Sequence, residues 1–351
     1  MSTTASSPAH EPKPLYLKLA KRMLIAIVVV VLGVVPAVIL LAITKEPAVT
    51  WATGAFIAGA VAVMFGGVDV GIKTSLVMGL LAPVAIVAGS SPVAGAALLA
   101  VVCLMVGRTS RHGLQRATML VPIFIGWMVI SPPFWGPQET IDRLNSTYLL
   151  WMAATFFIGG IFAVIVVHLG LRKVHLPAPT PHPTREVVPY TVIITVLTTA
   201  ATYWSLDHPK QYAGAWLIST IMVLTQVGDV GTVRKTIGRV VGTVLGMVVV
   251  WVIVVEIKSL TLVYVIGLVF CVAALTAKFS PHYWIYMALI TPTIVCFSAF
   301  SSAQVANLGE QRLEDTIVGA VLVLIAMGLA VGYARLAGRF DRYVVASSVP
   351  I

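Results

Sequence analysis

The chain has 351 residues, of which 59% are hydrophobic and only 10% charged, with a formal net charge of +10. Soluble domains hold about 45 to 50% apolar and about 25% charged residues, so this composition excludes a soluble enzyme or binding module and implies an integral membrane protein. The basic residues gather on no soluble segment and no nucleic-acid motif is present, so no nucleic-acid partner is expected.

Residues 1–22 read as a polar cytoplasmic tail. The first apolar run, Met23 to Ile43, is too long for a signal-peptide core and lacks a clear cleavage site, which makes it an anchor. Runs of about 17 to 25 mostly apolar residues mark membrane spans. They fall near 23–43, 51–66, 73–89, 92–107, 116–131 and 148–170, then near 188–205, 213–227, 237–256, 259–277, 283–299 and 314–336. The predicted fold is an all-α integral membrane protein of about twelve transmembrane helices, arranged as two six-helix repeats over 23–170 and 188–336. Between them, residues 171–187 carry Pro177, Pro179, Pro181 and Pro183 and read as a cytoplasmic linker, because a helix cannot continue through such spacing. Residues 337–351 form a second cytoplasmic tail. Cys103, Cys271 and Cys296 are isolated in apolar runs, which is the pattern of small core residues and not of a metal site.

With a cytoplasmic N-terminus, eighteen of the 23 basic residues fall in inner segments, and only Lys45, Arg143, Lys210, Lys258 and Arg312 fall outside. This bias sets the orientation under the positive-inside rule and places both termini in the cytoplasm. The halves also resemble each other. Arg108-Thr-Ser110-Arg-His112 with Pro122 matches Lys278-Phe-Ser280-Pro-His282 with Pro292, and Val68-Asp69-Val70-Gly71 matches Gly228-Asp229-Val230-Gly231. Trp51 and Trp216 both open second spans. An even number of spans per half makes the copies parallel, related by an axis along the membrane normal.

The stretch from Gly228 to Gly246 sets a charged turn against an apolar run. Gly238, Gly242 and Gly246 recur every fourth residue and form one flat helix face suited to close backbone packing. Thr236, Arg239 and Thr243 share the neighbouring stripe, placing a guanidinium beside two hydroxyls, a grouping that suits an anion. The alternative is that the glycines only pack and Arg239 only reaches for the headgroups.

Trp216, the run Arg239-x-x-Gly242-Thr243-x-x-Gly246, Tyr283-Trp284 with Pro292, and the run Arg312-x-x-Asp315-Thr316-x-x-Gly319 together resemble the fusaric acid resistance protein-like family. That family includes aromatic acid exporters, and plant malate channels are similar in fold. The resemblance covers the second half well and the first half only as a degraded copy. It implies export of small, often aromatic, organic acids across a bacterial inner membrane. Larger members carry soluble cytoplasmic domains after their membrane halves, which this chain does not show.

No zinc-hydrolase, phosphate-loop or serine-hydrolase motif is present, so neither an enzyme nor an ATP-driven pump is indicated and no cofactor or metal is expected. Any energy must come from an ion gradient. Lys278 is a candidate second cation facing Arg239, with His282 as a group able to titrate near neutrality and couple protons, although both also fit ordinary inner-loop residues. Tyr283 and Trp284, which follow His282 directly, are candidates for a planar ligand. Interfacial belts account for most of the other boundary aromatics, Trp204, Trp216 and Tyr286 among them. Arg312, Glu314 and Asp315 open the last span from the outer side, where the carboxylates either cap the helix or accept protons. Asp69 and Asp229 occupy matching inner turns as structural or gating residues.

The partners expected are the small organic anion, membrane lipid, and either a periplasmic adaptor or a second copy of the chain. Three readings stand: a secondary exporter, a passive anion channel, and a non-transporting subunit of an export complex. A major-facilitator fold is the rival architecture. Reporter fusions test the orientation: a fusion after Ile351 is expected to report the cytoplasm, and a periplasmic signal there would overturn the topology.

Overall fold

The computed structural model describes residues 15–133, 142–172, 178–208, 214–227, 232–257, 259–278, 282–298 and 302–336. Within them the chain is helical, with no strand. The first half comprises α1 (Leu15–Thr44), α2 (Ala52–Gly66), α3 (Val68–Ala88), α4 (Pro92–Ser110), the single turn α5 (Gln115–Thr118), α6 (Leu120–Ile130) and α7 (Ser146–Leu171). The second comprises α8 (Thr184–Asp207), α9 (Gly214–Leu224), α10 (Thr232–Glu256), α11 (Leu260–Ala277), α12 (Tyr283–Ser298) and α13 (Ser302–Leu336). Eight stretches are long and apolar enough to cross a membrane, and their outward faces carry exposed Val, Leu and Ile, so this is a multi-pass membrane protein. Four further apolar helices are shorter: Gln115–Ile130, Gly214–Leu224, Thr261–Ala277 and Tyr283–Phe297.

Two boundaries differ from expectation in a way that matters. The last helix begins at Ser302 and not near 314, because the polar stretch before Arg312 (Gln304, Asn307, Glu310, Gln311) is compatible with helix although it is invisible to a hydropathy window. Arg312, Glu314 and Asp315 therefore lie within α13 and do not open it. Asp69 likewise lies in the first turn of α3, exposed, and not in a turn between helices.

Each half holds its own core. Met78, Met128, Met152 and Phe156 centre the first, among α3, α6 and α7. Met247, Val250, Val263 and Val295 centre a smaller one among α10, α11 and α12. A third cluster joins the halves: Cys103 and Val106 of α4 and Ile123 of α6 meet Ile194 of α8, Ile218 of α9 and Val323 of α13. The contacts between halves are reciprocal in kind. α8, the first helix of the second half, lies along α4, the fourth of the first, and α1 lies along α11, which holds the same place in the second half. The three cysteines are free thiols, Cys103 meeting Thr198 Oγ1 at 3.0 Å across the α4–α8 contact.

At the end of the bundle that the basic-residue count assigns outside, Arg143 fastens three elements. Its Nη1 donates to Ile86 O of α3 (2.9 Å) and to Val129 O of α6 (3.0 Å), just before α7 begins. Partial burial lowers its pKa from the usual arginine value, the charged form losing solvation. At the opposite, inner end, Gly113 has φ of +75°, and a side chain there would strike the backbone of Thr180. The described part of the proline-rich segment is thus laid against the first half. Gln115 Nε2 adds a contact of 2.8 Å to His182 Nε2, whose Nδ1 lies 3.7 Å from Glu186.

The contact that positions the second half is α10 on α12. A Cβ built on Gly242 would lie 2.5 Å from Met287 Cβ and from Trp284 O, and one on Gly246 would lie 2.8 Å from Ala288 O. Pro292 has no N–H to give Ala288 O, so this carbonyl is left open toward α10. Only a residue without a side chain allows so close an approach. Gly242→Leu is expected to lower the detergent melting temperature by several degrees, consistent with an overpacking cost of about 1 to 3 kcal/mol. Gly328→Leu, where nothing lies within 4 Å of the added atom, should leave it unchanged.

Candidate functional site

The glycine contact sets the height at which α10 presents its next stripe. Thr236, Arg239 and Thr243 are all buried, and Arg239 retains only 6% of its accessible surface. Arg239 Nη2 donates to Thr220 Oγ1 of α9 at 3.3 Å, and Nη1 faces Met287 Sδ of α12 at 3.9 Å. Its Nε has no partner among the described residues, and neither have Thr236 Oγ1 and Thr243 Oγ1.

A second guanidinium comes from α13. Arg312 keeps 3% of its surface and lies over the Trp216 ring, 4.3 Å from the ring centroid. A cation over an indole face is worth roughly 0.5 to 2 kcal/mol, the upper figure applying away from water. Arg312 Nε is also unpartnered among the described residues. The two arginines repel each other electrostatically, and both act on Tyr286 of α12, so they belong to one cluster. Tyr283, whose hydroxyl is a further unpartnered buried group, lies within the same field and 6.2 Å from Tyr286 between ring centroids.

Asp315 supplies the carboxylate. Its Oδ2 accepts a 3.0 Å hydrogen bond from Leu217 N, in the first turn of α9, where a helix presents N–H groups and a positive dipole end. Arg312 and Asp315 are three residues apart on α13, a spacing at which an ion pair can form. No ion pair joins them among the described residues, and each turns to α9, Arg312 to Trp216 and Asp315 to Leu217. Gly319, one turn beyond, allows α13 to meet Thr220 closely, a built Cβ lying 2.8 Å from Thr220 Cγ2.

Trp216 stands inside the protein and not in an interfacial belt. Its ring meets Trp127 of α6 edge-on at 4.5 Å, and Trp127 lies 5.6 Å from Trp51. Trp204, by contrast, is exposed and stacks on His208 at 4.0 Å.

Four expected site residues are placed elsewhere. Lys278 is exposed at the C-terminal cap of α11, so the second cation of the cluster is Arg312 and not Lys278. Trp284 is 42% exposed and meets α10 through its backbone. His282 is exposed just before α12, and Glu314 is exposed on α13 beside the inward-facing Asp315. Asp229 lies outside the described residues. Sequence reading passes over Thr220 and takes Tyr286 only as a boundary aromatic: Thr220 is one apolar-run hydroxyl among many, and only the approach of α9 to α10 distinguishes it.

Taken chemically, the cluster holds two buried guanidiniums, one carboxylate and several polar atoms with no partner among the described residues. Burying a charge is costly unless it is paired, and the cluster holds one more cation than carboxylate.

Residues 183–326 match the family model described as fusaric acid resistance protein-like, a stretch that takes in all of the cluster. This agrees with the resemblance seen in the arginine motifs. No curated protein and no solved structure matches the chain.

Asp315→Asn keeps an acceptor for Leu217 N and is expected to melt near the parent temperature. Asp315→Leu strands that donor and should cost about 1 to 3 kcal/mol, read as a lower midpoint in thermal unfolding.

Proposed function

We propose that the protein is a secondary transporter that exports small organic acids, aromatic ones included, with the anion held between Arg239 and Arg312. One observation carries the reading: two buried guanidiniums with unpartnered Nε groups share a cluster with a single carboxylate. A carboxylate ligand would restore neutrality. The planar fork of Arg239 suits two charge-assisted hydrogen bonds to it, and Thr236, Thr243 or Tyr283 can add a neutral one. The family match supports a membrane transport role.

In this reading Asp315 is the proton-exchanging group of the cluster. Ionised, it leaves the cluster one net positive charge, which a single carboxylate ligand neutralises; its protonation changes that balance by one charge. The described helices and reciprocal contacts of α1 with α11 and α8 with α4 support twelve spans in two parallel halves. The basic-residue bias supports an inner-membrane location with both termini in the cytoplasm.

Purified protein in liposomes provides the test. Benzoate is expected to move uphill when a pH gradient is imposed, whereas an ohmic current without uphill movement would make the protein a channel. Arg239→Gln should abolish movement and Arg239→Lys should reduce it by at least about tenfold, since each hydrogen bond to a charged partner contributes about 1.5 to 3 kcal/mol. Normal transport by a folded Arg239→Gln protein would refute the anion-site role.

A further inference from the structure

A cavity of about 420 Å³ lies at the inner end of the bundle, between the two halves. Its polar walls include Arg116 of α5, Thr180 and His182 of the proline-rich segment, Thr225 just past α9, and Lys235 on α10. No carboxylate is among the residues that line it. Glu186 lies against His182 at 3.7 Å. Lys235 Nζ donates to Gln226 Oε1 at 2.9 Å.

Two buried polar atoms here have no partner among the described residues: Thr225 Oγ1, on a side chain only 4% exposed, and Gln115 Oε1. The rest of the lining is apolar and includes Phe65, Tyr190, Met119 and Met222. A lining that combines cationic groups with aromatic and thioether side chains fits a ligand that carries both a charge and a planar apolar part. The volume lies within the range of small-molecule sites.

The cavity also stands in line with the arginine cluster. Lys235 precedes Arg239 by one helical turn on α10, and Thr225, just past the end of α9, follows Thr220 by little more than one turn. The geometry points to a separate loading site for an amphipathic monocarboxylate, walled by the proline-rich segment and emptying toward Arg239. The direction of that transfer rests on the transport reading above, whereas the binding itself does not.

Because the segment is seated on Gly113 and held by the Gln115–His182 contact, Thr180 stays at the cavity wall, and its exposed side chain offers a reporter. Thr180→Cys, in a chain with Cys271→Ala and the buried Cys103 and Cys296 retained, is labelled with N-ethylmaleimide in detergent. Benzoate is expected to slow the labelling in a saturable way, and inorganic phosphate at equal concentration to leave it unchanged. Arg116→Gln should raise the benzoate concentration for half-protection by roughly tenfold or more, the loss of a charge-assisted hydrogen bond. Arg116 is exposed, so the fold should tolerate the change.

Arg239→Gln, added to the Thr180→Cys chain, separates the two proposals. Protection of the introduced thiol that persists in this variant supports a distinct site, whatever happens to transport. Protection that vanishes in the folded variant, an absence of protection in the parent, equal protection by phosphate, or an unchanged half-protection in Arg116→Gln would each overturn it. Arg239→Gln that loses transport while the introduced thiol is never protected would leave the exporter reading standing and remove only this one.

Discussion

Two like charges held in a low-dielectric interior are the constraint around which the second half is built. Arg239 and Arg312 cannot shed their charge, and each is held by a neighbour from α9, Thr220 in one case and the Trp216 ring in the other. Helix α9 therefore supplies a partner to each guanidinium. Its own first turn is satisfied by Asp315, which ties the carboxylate to the same arrangement. Moving any one of these side chains changes the electrostatic surroundings of the others.

The two halves treat a similar helical frame differently. In the first, α2 and α7 meet through Gly59 and Gly160, a built Cβ on Gly59 lying 2.7 Å from Gly160 O, and the interior is filled by Met78, Met152 and Phe156. In the second, the meeting of α9 with α13 uses Thr220 and Gly319, and buried polar groups line the neighbouring space. On the proposed repeat, one copy is a packed support and the other carries the polar interior. The α4–α8 contact then serves to hold the polar half against a stiff partner.

Much of this was legible in the sequence, and the limits have physical causes. Apolar runs of membrane length located the helices because a lipid-facing helix must be apolar along its whole length. The four-residue glycine spacing of 238, 242 and 246 signalled a close contact, since small residues at that interval lie on one face. The start of α13 was misplaced because its first three turns are polar, and hydropathy cannot distinguish a polar helix from a loop. That error set Arg312 at the outer boundary. Its proximity to Arg239 depends on α13 packing directly against α10, two helices far apart in the chain, which local spacing cannot encode. The parallel wording of the two motifs, Arg-x-x-Gly-Thr-x-x-Gly and Arg-x-x-Asp-Thr-x-x-Gly, was the available signal. The proline-rich segment was legible as non-helical, but not as a wall, because its seat is a positive-φ glycine on the other side of the gap.

The Arg143 tie bears on the salt conditions that its end of the bundle can tolerate. A surface arginine usually finds a carboxylate, and such a pair weakens as ionic strength rises because mobile ions screen both partners. Arg143 instead grips two neutral carbonyls, at the ends of α3 and α6, so there is no opposite formal charge for salt to mask. The clasp at that end of the bundle should hold about equally in dilute and in concentrated brine.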